Sequence, residues 1–193
     1  MTKPFRLAVF LSGSGSNAEK IFFHFKNHPV IEIALVLSNN AEAGGLLRAQ
    51  KFNLPTRVFL KTQFRESGEV LAWLKEYGVT HIVLAGFLWL IPENLIRAFP
   101  GRILNIHPAL LPKFGGKGMY GMKVHEAVKQ SGERITGITI HEVDTKYDEG
   151  KIVFQASCKV LPDDTPLQIS ARVQQLEHEH YPRVIEEWIT EPG

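Results

Sequence analysis

Leu7-Ala8-Val9-Phe10-Leu11-Ser12-Gly13-Ser14-Gly15-Ser16-Asn17 is an apolar run that ends in a glycine-rich turn and leads into a segment of helical periodicity. A short apolar run bounded by Ser and Gly reads as a buried strand, and a strand that feeds a helix opens a βαβ unit. The alternation recurs. Apolar runs at 31–37, 58–60, 82–85 and 103–106 are separated by helical spacing near 17–28, 42–53, 64–78 and 92–99. Strands alternating with helices predict an α/β fold with a doubly wound, mostly parallel, Rossmann-like sheet, whose sites form at the carboxyl ends of the strands. After residue 108 the rhythm changes to a Gly/Lys-rich loop at 112–118, a helix near 122–131, strands at 136–140 and 152–154, and a long helix over 166–189. This predicts an antiparallel C-terminal extension of the same sheet, so that residues 1–193 form one domain. The tail at 191–193 is expected to fray.

The 193 residues are 44% hydrophobic and 22% charged, with mean hydropathy −0.07, enough to bury a core without a disulfide or a metal. Lys and Arg number 22 against 20 Asp and Glu, and the basic residues are scattered, so no nucleic-acid footprint is present. Cys158 is the single cysteine, and no Cys/His array has zinc spacing, which predicts a cytoplasmic chain with no structural metal. The opening apolar run is too short to span a bilayer and carries no cleavage site, so no membrane association is expected.

The turn at 12–17 places backbone N–H groups at a helix N-terminus, where they can hold an anion. Gly13-x-Gly15-x-x-Ala18 also fits a dinucleotide fingerprint. That reading needs an acid at the end of the second strand, where the chain has Leu37-Ser38-Asn39-Asn40 instead. Neither this turn nor Gly115-Gly116-Lys117-Gly118 matches a Walker A motif. A tight turn without a ligand is the alternative.

In Leu104-Asn105-Ile106-His107-Pro108 the two polar residues stand two apart on a strand and share one face. On a strand covered by helices they either hold buried hydrogen bonds or face a cleft. An Asn amide can donate to a developing oxyanion and a His can move a proton near neutral pH. Asp144, Asp148 and Glu149, in the loop 143–150, are candidate carboxylate partners, with a solvated loop acid as the alternative for each. The triplet His178-Glu179-His180 reads as ordinary helix surface, since residues two apart on a helix diverge.

Five stretches together resemble the folate-dependent formyltransferases: 12–17, Val83-Leu84-Ala85-Gly86-Phe87, 104–113, Gly137-Ile138-Thr139-Ile140-His141 with Asp148-Glu149-Gly150, and 171–178 with Tyr181-Pro182. The resemblance implies transfer of the formyl group of 10-formyltetrahydrofolate to the amine of glycinamide ribonucleotide in purine biosynthesis, with no metal and no covalent enzyme intermediate. It implies Asn105, His107 and Asp148 as catalytic residues, with His107 protonated and held so by Asp148. Ser14, Gly15, Ser16 and Asn17 match the phosphate loop, and Glu177 the acid that meets the substrate amine. Arg65 is taken as the basic partner of the phosphate, with Lys61 the alternative. Phe87, Leu88, Trp89, Leu90, Ile91, Val143 and Asp144 match the folate pocket. The chain departs from the family pattern at Trp89, where Arg is common, at Thr136, where His is expected, and in a longer loop at 114–123. A monomer or homodimer is expected. The rival reading is a non-catalytic module that binds a sugar phosphate at the turn.

Overall fold

The computed structural model describes residues 4–191; of the expected frayed tail, Pro192 and Gly193 lie outside the described residues. Strands β1 (Phe5–Leu11), β2 (Ile31–Ser38), β3 (Thr56–Val58), β4 (His81–Leu84), β5 (Ile103–His107), β6 (Ile135–Glu142) and β7 (Ile152–Lys159) form one sheet in the order β3-β2-β1-β4-β5-β6-β7. The first five strands pair in parallel, and β6 and β7 add antiparallel, as the sequence predicts. Helices α1 (Ser16–Phe25), α2 (Gly44–Lys51), α3 (Lys61–Arg65), α4 (Glu69–Glu76), α5 (Glu93–Ala98), α6 (Met122–Ser131) and α7 (Pro166–Thr190) connect and cover the strands.

Period-two alternation sends each central strand into two cores. Leu7, Val9 and Leu11 of β1 pack with Ile21, Phe22 and Ile185 of α1 and α7, while Ala8 and Phe10 pack with Phe64, Val70 and Leu74 of α3 and α4. From the central pair β1/β4 the chain winds outward in opposite directions, to β2 and β3 on one side and to β5 on the other. That switch point opens a crevice at the carboxyl ends of the two strands. Across it the Ser12 N–H donates to Gly86 O at 3.1 Å and the Leu88 N–H to Ser12 Oγ at 3.1 Å, which ties the glycine-rich turn to the loop after β4.

Among the boundaries that differ from expectation, three have a visible reason. The helix predicted over 64–78 is two helices, because Gly68 adopts a left-handed conformation at φ 70°. The strand predicted at 58–60 lies at Thr56–Val58, and Leu60 instead caps α3, its N–H donating to Gln63 Oε1 at 2.7 Å. β7 continues past 154 to Lys159, since an edge strand tolerates the polar alternation Gln155-Ala156-Ser157-Cys158. α7 starts at the box formed by Thr165 and Gln168 and contains Pro182. Just before that proline, the buried Tyr181 hydroxyl sits 2.9 Å from Leu84 O and 3.3 Å from Leu104 O and anchors α7 to β4 and β5.

Candidate active site

A cleft of about 620 Å³ opens at the carboxyl ends of β4 and β5, with α6 and α7 contributing one wall. Asn105 and His107 line it together, as their spacing predicts, while Leu104 joins the core and Ile106 both joins the core and borders the cleft. Antiparallel pairing of β5 with β6 sets His141 opposite Asn105. Asn105 Nδ2 and His141 Nε2 are 3.1 Å apart. His141 Nδ1 faces the Glu142 carbonyl at 2.9 Å, so Nδ1 is the donor and Nε2 accepts from the Asn105 amide. His107 Nε2 faces the Phe114 carbonyl at 2.8 Å and therefore carries a proton.

Asp148 closes the set. Its Oδ2 lies 3.5 Å from His107 Nδ1 and its Oδ1 3.5 Å from His141 Nε2, while the Gly116 N–H donates to Oδ2 at 2.9 Å. Asp148 has φ 57°, a left-handed conformation that Asp and Asn tolerate better than other side-chain-bearing residues. Gly150 fixes the return of this loop: a Cβ there would sit 1.8 Å from the Glu142 carbonyl oxygen. His125 of α6 is buried and lines the cleft. Its Nδ1 has no partner among the described residues.

These contacts set the charges. Burial pushes the Asp148 carboxyl up, but His141, His107 and the Gly116 N–H outweigh it and hold the group below its ordinary value. For His107 burial is the largest influence and pushes its pKa down; Asp148 and the Phe114 carbonyl restore it only in part, and His141 adds to the depression. The imidazolium expected at His107 is therefore favoured by Asp148 and the Phe114 carbonyl and opposed by burial. Burial also lowers His125, and the charge of His107 adds to the lowering.

At the other end of the cleft, Ser14 and Asn17 line the wall and Gly15 sits at φ 75° before the first turn of α1. The N–H groups of Ser14, Gly15, Ser16 and Asn17 have no protein acceptor among the described residues. Ser16 Oγ accepts from Gln174 Nε2 at 3.2 Å, and Asn17 Nδ2 donates to Glu177 Oε2 at 2.9 Å. Asn17 Oδ1 is buried and unpaired among the described residues. Burial raises the Glu177 carboxyl, with Asn17 opposing. A Cβ on Gly15 would lie 2.4 Å from Gly45 Cα. Gly15→Ala is therefore expected to lower stability by about 2–4 kcal/mol, from left-handed strain plus overpacking, read as a fall in Tm.

Phe87, Leu88, Trp89, Leu90, Ile91 and Val143 line the apolar side of the cleft. Phe87 also packs on Phe10 at 5.4 Å, and half-buried Trp89 meets Phe59 at 6.0 Å and Phe64 at 5.9 Å, so the indole is at once core edge and cleft wall. Of the expected turn residues, Gly15 and Ser16 are not in the cleft lining, and two further expected residues stand elsewhere. Asp144 is absent from the lining; its Oδ1 accepts the Lys146 N–H at 2.8 Å in a local turn, the role of a loop acid. Arg65 is exposed at the end of α3 and borders a neighbouring groove with Leu90, Ile91 and Thr145 instead of lining the cleft with the glycine-rich turn. Lys61, at the start of α3, is exposed and not in the cleft lining either. The cation that meets the turn is Arg48 of α2, whose Nε donates to Ser14 O at 2.9 Å. His178 and His180 are half-buried rather than on the surface, and Glu179 is exposed.

Sequence reasoning missed His141, His125 and Arg48. His141 closes the quoted run 137–141, but its role follows only from the β5/β6 register. Among the described residues no group of three His, Cys, Asp or Glu side chains is placed to hold a metal, and no helix is long and apolar enough to cross a membrane.

A donor amide, a histidine and a carboxylate at one end of a cleft, with an apolar wall and an open set of helix N-terminal amides at the other, define an acyl-transfer type of site. The formyl transferase family model matches residues 5–185, and the chain belongs to that family. Phosphoribosylglycinamide formyltransferase of Arabidopsis thaliana, a chloroplastic protein, is 45% identical over 186 residues, covering 93% of this chain and 64% of that protein. The enzyme of the same name from Haemophilus influenzae is 36% identical, covering 96% of this chain and 87% of the relative. Among solved structures, phosphoribosylglycinamide formyltransferase of Anaplasma phagocytophilum superimposes with a TM-score of 0.89 at 35% identity, covering 98% of this chain and 88% of that one.

Proposed function

We propose that this chain transfers the formyl group of 10-formyltetrahydrofolate to the amine of glycinamide ribonucleotide. The observation that carries this reading is the linked set of Asn105, His107, His141 and Asp148, placed between an apolar wall and the glycine-rich turn in one cleft. The pterin lies against Trp89, Leu90 and Val143. Arg65, beside Leu90 and Ile91 where the groove leaves the cleft, supplies a cation for the carboxylate of the folate tail. The N–H groups at 14–17 hold the ribonucleotide phosphate, and Glu177, fixed by Asn17, meets the amine.

The amine nitrogen attacks the formyl carbon and the carbonyl oxygen becomes an oxyanion. One N–H of Asn105 Nδ2 is committed to His141, which fixes the amide plane and leaves the second N–H for that oxyanion. As the C–N bond forms, the amine loses a proton, and the His107 and Asp148 pair takes it up. A proton on His107 Nδ1 converts the 3.5 Å approach to Asp148 Oδ2 into a charge-assisted hydrogen bond, so the imidazolium forms during the reaction and not before it. The proton then passes to the folate nitrogen as the carbon–nitrogen bond to it breaks, giving tetrahydrofolate and the formylated amide.

Binding separates the two ends of the cleft. A folate analogue should quench Trp89 fluorescence, and Trp89→Phe should abolish that signal; an unchanged spectrum at saturation would take the pterin off this wall. Asn17→Ala should raise KM for the ribonucleotide by about tenfold, the worth of a lost hydrogen bond to a charged group, while leaving KM for formyl-folate near its original value. Equal effects on both substrates would remove the ribonucleotide from the turn.

A further inference from the structure

The glycine-rich turn does not hold its own shape. Its two consecutive carbonyls, of Gly13 and Ser14, are both taken by α2: the Gly45 N–H donates to Gly13 O at 3.1 Å and Arg48 Nε to Ser14 O at 2.9 Å. In a planar trans peptide the N–H points opposite to the C=O. Drawing both carbonyls toward α2 therefore turns the N–H groups of Ser14 and Gly15 away from it, where neither has a protein acceptor among the described residues. Gly44 and Gly45 allow the approach, since a Cβ on Gly44 would stand 3.3 Å from Ser14 O and one on Gly45 would stand 2.6 Å from Leu11 Cδ2. The 14–15 peptide has no other restraint of this kind, and Gly15, already at positive φ, leaves it free to rotate. Rotated, it would present a carbonyl oxygen to an incoming anion.

Arg48 holds a second neighbour. Its Nη1 pairs with Glu19, an acid in the first turn of the helix whose N-terminus faces the cleft. Unpaired, that carboxylate would oppose an anion bound a turn away.

We propose that Arg48 is a positioning residue for the anion cradle: it orients the Ser14–Gly15 peptide through the Ser14 carbonyl and keeps Glu19 neutralised, without itself contacting the ligand. The proposal rests on the reading of the turn as the phosphate site. It gives α2 a role that its sequence, Gly44-Gly45-Leu46-Leu47-Arg48, does not announce.

The test is titration of inorganic phosphate into nitrogen-15-labelled protein, followed at the backbone amides of residues 14–17, beside steady-state kinetics. In the wild type these amides should shift on saturation. Arg48→Met should move the Gly15 amide resonance in the ligand-free protein, weaken phosphate about tenfold and raise the ribonucleotide KM by a similar factor, with kcat and the formyl-folate KM within about twofold. Adding Glu19→Gln to Arg48→Met should recover part of the loss, and Arg48→Lys, which keeps the charge but not the planar fork, should fall between. Unchanged phosphate affinity in Arg48→Met, or equal losses for both substrates, would overturn the proposal while leaving the cradle in place. Wild-type amides that ignore phosphate would overturn the cradle, and the ligand-free Gly15 shift would still show whether Arg48 sets the peptide.

Discussion

Asp148→Asn is expected to lower kcat by about 10²–10⁴-fold, the usual worth of a positioned acid–base group, with the ribonucleotide KM close to the wild-type value. Asn is the clean replacement because it tolerates φ 57° and keeps an oxygen for the Gly116 N–H, so the loop geometry survives while the charge is lost. His107→Ala should cost a similar factor. The two side chains approach at 3.5 Å and hold one proton between them, so the double variant should be scarcely slower than the worse single variant. Rate losses that multiply would separate the residues into independent roles.

The same pair fixes the pH dependence. The base form of His107 is needed, and burial lowers its pKa, so the acidic limb of kcat/KM should fall below the ordinary histidine value of about 6.5. Asp148 raises His107, so in Asp148→Asn the residual activity should show that limb at lower pH still. An acidic limb that moves up in the variant would contradict the assignment.

Asn105→Ala is expected to lower kcat by about 10²–10³-fold, the loss measured for a single oxyanion donor, or about 3–4 kcal/mol of transition-state stabilisation. His141 makes the effect specific. Because its Nε2 accepts from the Asn105 amide at 3.1 Å, His141→Phe should leave the Asn in place but loosely oriented and cost less than removal of the amide itself. A fall in kcat for Asn105→Ala matched by an equal rise in folate KM would instead make Asn105 a ground-state contact.

The architecture was largely legible because its signals are local. Five apolar runs at helix-length spacing gave the parallel sheet, and Asn105 and His107 were placed on one face by period two alone. Asp148 and Gly150 were visible as a motif, but the steric reason for the glycine, a Cβ 1.8 Å from the Glu142 oxygen, exists only once β6 and the loop are folded together. Arg65 was taken as the basic partner of the phosphate from the resemblance alone, whereas its helix ends beside a different groove. Arg48 was missed for the converse reason: it reaches the turn through the crossing of α1 and α2, a contact between residues 34 apart. The burial that lowers the His107 pKa was not readable either, whereas the Asp148 partner that raises it was.

The central claim is that this cleft moves a formyl group between two substrates, and isotope transfer tests it most directly. Protein incubated with glycinamide ribonucleotide and 10-formyltetrahydrofolate carbon-13-labelled in the formyl group should deliver the label to the glycinamide nitrogen, one formyl amide formed for each tetrahydrofolate released. Label recovered as formate, or both substrates bound with no label moved, would contradict the account.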